Sequence, residues 1–253
     1  MAVLEVKNLT KDFDGIKAVN NMSFGIENNS ITALIGPNGS GKTTVFNLIT
    51  GFLKPEGGKV CFNDKEITSL NPYKIAKLGI ARTFQNIRLF PQMSVLDNVM
   101  LALKYRKGDR FVSALFQTKI MKAEERENQE KAETLLNLMG LINKRNVFAE
   151  TLSHGQRKLL EIAKALALDP QILLLDEPTA GLFPEMKSHL LGIIKHLKKE
   201  GKTVLFIEHD INVVMGIAEK IIVLDYGKKI SEGNTNEVSK DQNVQEVYLG
   251  IKK

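Results

Sequence analysis

The sequence predicts an α/β domain built on a parallel, helix-covered sheet and interrupted by an inserted helical segment. Three observations carry this reading. Short apolar runs alternate with helical patterns. A glycine-rich turn joins the first of these runs directly to a helix. About 135 residues then separate the first run from the second, far more than one strand-helix-strand crossover needs.

In chain order, Ile31–Ile35, Ile172–Leu175, Val204–Ile207 and Ile221–Leu224 are continuous apolar runs bounded by polar residues or glycine, as strands buried on both faces should be. Lys42–Ile49 reads as a helix. From about Gln85 to Thr151 the strand signals vanish. Val95–Leu103 is helical there, and Lys122–Met139 is a charged helix carrying Leu135, Leu136, Leu138 and Met139 and stopped by Gly140. The intervening KYRKGDRFVSALFQTK is irregular and basic, and reads as a solvated loop. The expected division is therefore one domain over 1–253, with a core over 1–84 and 157–253 and a helical subdomain inserted over 85–156.

Composition narrows the function classes. With 253 residues, 43% hydrophobic and 25% charged, the chain is neither collagen-like, mucin-like nor disordered. A net charge of +6 without a run of like charges argues against a nucleic-acid partner. Cys61, the single cysteine, can form no internal disulfide, reads as a small buried hydrophobe and suits a reducing compartment. The N-terminus lacks signal-peptide architecture, and no apolar run approaches the roughly 18 residues of a spanning helix. The expectation is a cytoplasmic protein, or one held at a membrane by partners.

GPNGSGKTT, spanning Gly36, Pro37, Asn38, Gly39, Ser40, Gly41, Lys42, Thr43 and Thr44, fits the phosphate-loop pattern G-x-x-x-x-G-K-[ST]. Because it follows a strand and opens a helix, successive backbone N–H groups and the positive helix end converge on one point. Lys42 can place a charge on the β- and γ-phosphates, and Thr43 can offer a hydroxyl to Mg²⁺. ILLLDEP then puts Asp176 and Glu177 at the carboxyl end of a buried strand, where open α/β sheets bind ligands. Asp176 suits Mg²⁺ binding, and Glu177 suits deprotonation of an attacking water.

LSHGQRKLLEIAKAL opens with an S-x-x-Q capping box, Ser153 to Gln156, and continues with apolar residues at helical spacing until Asp169-Pro170. Gly155 in the first turn costs helix stability. It makes sense if something such as a phosphate approaches the backbone closely there.

GPNGSGKTT, LSHGQ, ILLLDEP and His209, in this order and spacing, resemble the nucleotide-binding subunit of ATP-binding-cassette (ABC) transporters over essentially the whole chain. The resemblance implies a P-loop NTPase (RecA-like) core with antiparallel β elements and an inserted α-helical subdomain. It implies ATP and Mg²⁺ as ligands, ADP as product, and a head-to-tail pair of cassettes in which Ser153, Gly155 and Gln156 bind the ATP held by the opposing phosphate loop. By the same resemblance Gln85 touches Mg²⁺ or the attacking water, His209 contacts the γ-phosphate, and Phe13 stacks on adenine, a core Phe being its alternative. His154 departs from the usual second glycine of the signature. Phe183 stands where the loop after Glu177 usually carries Asp or Asn.

ARTFQNIRLFPQMSVLDNVMLA, IEHDINVVMGIAEKIIVLDYGKKISEG and VQEVYLG further resemble the LivG-type ATPases of branched-chain (hydrophobic) amino acid importers, a subgroup carrying extra residues near Lys104 to Lys122. That implies a second ATPase subunit or a second copy of this chain, two integral-membrane permease subunits and, indirectly, an extracytoplasmic binding protein. The expected location is peripheral, on the cytoplasmic face of the plasma (inner) membrane. No regulatory domain is expected after Gly250. Ile87, Leu89, Phe90 and Met93 could line a groove for a permease helix or lie in the subdomain core. The same engine serving urea or lipopolysaccharide, and a soluble cassette ATPase acting on DNA or ribosomes, are the alternatives.

Overall fold

The computed structural model describes residues 2–104 and 119–249. The basic loop KYRKGDRFVSALFQTK, apart from its end residues, lies outside them. The first strands are β1 (Ala2–Phe13), β2 (Ile16–Glu27) and β3 (Ile31–Ile35), followed by helix α1 (Lys42–Ile49). Then come β4 (Gly57–Phe62), β5 (Lys65–Glu66), α2 (Pro72–Lys77) and β6 (Ile80–Arg82). Three helices follow: α3 (Val95–Lys104), α4 (Lys119–Leu138) and α5 (His154–Leu166). The remainder is β7 (Ile172–Asp176), α6 (Pro184–Lys199), β8 (Thr203–Ile207), α7 (Ile211–Ile217), β9 (Lys220–Asp225), β10 (Lys228–Gly233), α8 (Thr235–Lys240) and α9 (Gln242–Leu249).

The chain forms two compact units. Met1–Arg82, Gln171–Ala180 and Ile194–Lys253 make the first, and Thr83–Pro170 with Gly181–Ile193 the second. This departs from the expected insertion over 85–156. The chain returns to the first unit at Gln171, because α5 packs on α3 and α4. Residues 181–193 also join the helical unit, where Leu182 and Met186 lie against the start of α5.

The first unit holds both sheets. One has the order β10-β9-β3-β8-β7-β6, parallel except for the β9–β10 pair. Every residue of β3, β7 and β8 is buried, which is why their sequences are wholly apolar or nearly so. The other sheet, β2-β1-β4-β5, is antiparallel. One apolar core joins them: Leu34, Leu174 and Ile207 from the parallel sheet, Leu4, Leu9 and Met22 from the antiparallel one, and Phe46 and Ile49 from α1. Each such side chain contributes about 1.5–3 kcal/mol on burial. The phosphate-loop helix is thus fixed by packing on its apolar side. Its N-terminus is left to polar contacts.

The second unit is helical among its described residues, with one isolated bridge, Ser94 to Phe148. Val95, Val99, Leu136, Leu159, Leu160 and Ala163 fill its interior. Asn98, fully buried, ties the entry into α3: its Nδ2 donates to the carbonyls of Phe90 and Ser94, both at 3.0 Å, and its Oδ1 accepts from the Phe90 amide at 2.9 Å. No described helix is long and apolar enough to cross a membrane.

Candidate nucleotide site

In the first unit β3, β8 and β7 are neighbours running in parallel, so their carboxyl ends open on one edge. The phosphate loop leaves β3, Asp176 and Glu177 leave β7, and Glu208 and His209 leave β8. Strand order, rather than proximity in sequence, brings these groups together.

Two glycines let the loop close. A Cβ on Gly36 would lie 2.2 Å from the Leu224 carbonyl oxygen and 2.5 Å from Ser40 Oγ. Gly41, the N-cap of α1, has φ +101°, and its Cβ would meet the Ala18 carbonyl at 2.3 Å. No side chain caps α1, an arrangement that suits an anion at its first turn. Lys42 is buried and folds across the loop, its Nζ donating to the carbonyls of Gly36 and Pro37, each at 2.8 Å. Burial pulls the Lys42 pKa down, and the nearby carboxylates of Glu177 and Asp176 oppose that shift. An anionic ligand would relieve the same cost. Thr43 is exposed beside it.

Asp176 is buried against Arg82. Its Oδ2 lies 2.8 Å from the Arg82 Nη2, with side-chain exposures of 1% and 5%. Burial pushes the Asp176 carboxyl up, and the Arg82 guanidinium counters it. Arg82 also donates to Asn47 Oδ1 at 2.7 Å and Thr50 Oγ1 at 3.3 Å, and lies 5.3 Å from the centroid of the Phe46 ring. One guanidinium therefore links β7 to α1.

Glu177 has φ +49°, a left-handed backbone that costs a non-glycine residue about 1 kcal/mol or more. The turn holds because its amide donates to the Ile207 carbonyl at 3.0 Å. Its Oε1 sits 2.6 Å from His209 Nε2, with the ring nitrogen as donor to the carboxylate. Glu208, itself buried, accepts from the Thr179 amide at 2.8 Å and from the His209 amide at 3.2 Å. It fixes both the loop after Glu177 and the start of the His209 turn.

The oxygen donors here, the Thr43 hydroxyl and the Asp176 carboxylate, suit Mg²⁺, which takes one or two protein carboxylates together with substrate phosphates. Among the described residues no cluster of three or more His, Cys, Asp or Glu could cage a metal with protein alone. Phe13, at the end of β1, is 42% exposed, so it is not the core residue that was its alternative.

The remaining predicted residues belong to the second unit. Gln85 is exposed, in the segment just after β6. Ser153 caps α5 as expected: its Oγ accepts from the Gln156 amide at 3.3 Å, and Gln156 Oε1 accepts from the Ser153 amide at 3.1 Å. Lys144 Nζ also donates to Gln156 Oε1, at 3.1 Å. The serine hydroxyl keeps its own O–H to donate. Gly155 also has a packing neighbour: a Cβ there would lie 2.2 Å from Met186 Sδ and 3.0 Å from Leu182 Cδ2, so the side chains of residues 181–193 leave little room at this position even without a ligand. Phe183 is 80% exposed, and the His154 ring lies beside Gly181.

Sequence reasoning did not single out Arg82, Glu208 or Glu161. All three are charges written next to or inside apolar runs (GIAR, LFIE, LLEIA), and a charge in such a place needs a buried partner.

The ABC transporter family model matches residues 19–180. The chain is 41% identical over 249 residues to the high-affinity branched-chain amino acid transport ATP-binding protein BraF of Pseudomonas aeruginosa, covering 98% of each. It superposes on the ADP conformation of MJ1267, an ATP-binding cassette of an ABC transporter, with a TM-score of 0.85 at 36% identity, covering 99% of this chain and 100% of that one. It also matches the dimeric post-hydrolysis state of the cassette MJ0796 bound to ADP and Pi, with a TM-score of 0.78 at 30% identity, covering 91% and 98%. With the phosphate loop, the DE pair and the capped signature helix all in place, the chain belongs to the ABC transporter family.

Proposed function

We propose that this chain is the ATP-binding and ATP-hydrolysing subunit of an importer of branched-chain amino acids. The observation that carries the reading is the convergence of the phosphate loop, Asp176, Glu177 and His209 on the carboxyl edge of three adjacent parallel strands. The 41% identity to BraF over 98% of each chain supports the cargo, since nothing in an ATPase site selects an amino acid.

In this reading the amides of residues 36–44 cradle the phosphates, and Lys42 exchanges its loop carbonyls for phosphate oxygens. Phe13 stacks on the adenine. Thr43, Asp176 and Gln85 hold Mg²⁺, which when bound neutralises phosphate charge. Glu177 takes the proton of the attacking water, and His209, already bonded to Glu177, holds that carboxylate and reaches the γ-phosphate. Ser153, Gly155 and Gln156 act on the nucleotide of an opposing cassette, a second subunit or a second copy. ATP thus closes a head-to-tail dimer, and hydrolysis reopens it. The dimeric state of MJ0796 with ADP and Pi supports that cycle.

Phe90 is 46% exposed and Ile87, Leu89 and Met93 are half-buried, which favours the docking role for this segment over the core role. A cytoplasmic helix of a permease is the partner in this reading. Through it the cassette sits on the cytoplasmic face of the membrane.

The test is uptake. Deleting the gene abolishes high-affinity uptake of labelled leucine, isoleucine and valine, and the wild-type protein restores it. Glu177→Gln does not restore it; in vitro that variant binds ATP but turns over about 10²–10⁴-fold more slowly. Unchanged uptake in a strain without a redundant importer removes the cargo. Full turnover of Glu177→Gln removes the assigned base.

A further inference from the structure

Glu161 lies in the middle of α5, flanked by Leu159, Leu160, Ile162 and Ala163, all buried, and is itself only 7% exposed. A carboxylate in such a place is costly to desolvate, and an apolar residue would pack there more cheaply. Its Oε1 accepts two backbone N–H groups, from Phe84 at 3.1 Å and from Arg88 at 3.4 Å. These are the two ends of the five-residue segment that carries Gln85. Two further contacts draw the same ends together. The Arg88 guanidinium lies 3.8 Å from the centroid of the Phe84 ring. Lys164, one turn along α5 from Glu161, donates to the Arg88 carbonyl at 3.0 Å. All these residues belong to the second unit.

We propose that Glu161 is the positioning residue for Gln85: its carboxylate cinches Phe84–Arg88 into a closed loop on α5, so that Gln85 and the signature residues at the start of that helix are carried by one rigid element. Ser153 and Glu161 are about 12 Å apart along a helix with a rise of 1.5 Å per residue. A ligand that orders the N-terminus of α5 then sets the orientation of the Gln85 loop through the helix itself. Glu161 thus acts through the Gln85 loop, its carboxylate occupied by the Phe84 and Arg88 amides. Its effect on turnover rests on the role given to Gln85 above, whereas the tether does not.

Hydrogen exchange on the full-length wild-type chain tests the tether without nucleotide. The amides of Phe84 and Arg88 should exchange at least about tenfold more slowly than those of Gln85 and Asn86, despite sharing one surface segment. Equal rates overturn the proposal. Glu161→Leu removes the acceptor while keeping the helix apolar, and should raise exchange at Phe84 and Arg88 about tenfold or more. Glu161→Gln, whose amide oxygen still accepts, should restore protection. In steady-state ATPase, Glu161→Leu should lower kcat about tenfold with KM for ATP within about twofold, Glu161→Gln should recover most of the loss, and Glu161→Leu with Gln85→Ala should be no slower than Gln85→Ala alone. Equal losses in the Leu and Gln variants, or losses that add to that of Gln85→Ala, overturn the positioning role. If Gln85→Ala alone turns over like wild type, the role of Gln85 fails, and the exchange data still decide the tether. Should Glu161→Leu not fold, the wild-type exchange rates and the Glu161→Gln variant carry the test.

Discussion

The two units hold their candidate functional groups by different physics. In the first, polar and charged side chains hold one another and the backbone: Arg82 grips Asp176, Glu208 grips two backbone amides, and His209 grips Glu177, all at the ends of buried strands. In the second, a helix end and its neighbours do the holding: the Ser153–Gln156 box, the close packing of Met186 on Gly155, and one buried carboxylate closing a loop. The sheet edge is a rigid place for chemistry that tolerates little error. The helical unit presents its groups at the end of one helix and on the loop tied to that helix.

The largest expected effect lies in the first unit. Arg82→Leu leaves Asp176 buried without its cation and should cost about 3–5 kcal/mol of stability by urea unfolding. Replacing both, Arg82→Met with Asp176→Leu, should recover much of that loss although turnover is gone. A double variant no more stable than the single one would mean that Arg82 acts by packing rather than by charge.

Next comes Gly155→Ala in the second unit. The added methyl collides with Met186 Sδ, and overpacking of this kind should cost about 1–3 kcal/mol. Pairing it with Met186→Ala should restore stability without nucleotide. If it restores ATP-dependent dimerisation as well, glycine is there for packing alone. If dimerisation stays lost, the backbone is also approached by a ligand.

Ser153→Ala should cost about 1 kcal/mol through the lost cap. Ser153→Asp keeps a cap acceptor but removes the donor hydroxyl and adds negative charge. It should leave the melting temperature near wild type while weakening the ATP-dependent dimer. Matching losses of stability and dimerisation in both variants would reduce Ser153 to a cap.

The smallest effect concerns pH. Burial raises the Glu161 carboxyl above its ordinary value of 4.5, opposed by the Phe84 and Arg88 amides and by Lys164 and Lys158. For an acid with a raised folded-state pKa, the folded chain binds more protons than the unfolded one. The stabilisation is complete below 4.5 and is lost as pH rises through the raised value. Thermal stability of Glu161→Gln, measured across that window, should therefore decline less with pH than that of the wild type. An identical slope would remove Glu161 as its source.

The features readable from sequence were local. The bounds of α1, the buried strands β3, β7, β8 and β9, the stop at Gly140 and the Ser153 capping box each depend on residues within a few positions of one another. Strands β1 and β2 escaped because they are only partly buried and carry several register shifts, which break the alternation that marks a half-buried strand. The packing of Met186 on Gly155 could not be read locally, since the two residues are 31 positions apart.

Taken by itself, then, the amino-acid sequence determined which chemistry is present: a loop that can bend around phosphates, a lysine, a hydroxyl, two carboxylates and a histidine, each placed by its own strand or helix end. Only the tertiary structure decided how those groups are held. Arg82 and Asp176 are 94 positions apart and Glu161 and Phe84 are 77 apart. Local pattern can show that a buried charge needs a partner. Which partner it receives depends on strand order and helix packing, where apolar burial over the whole unit outweighs the preference of any single residue.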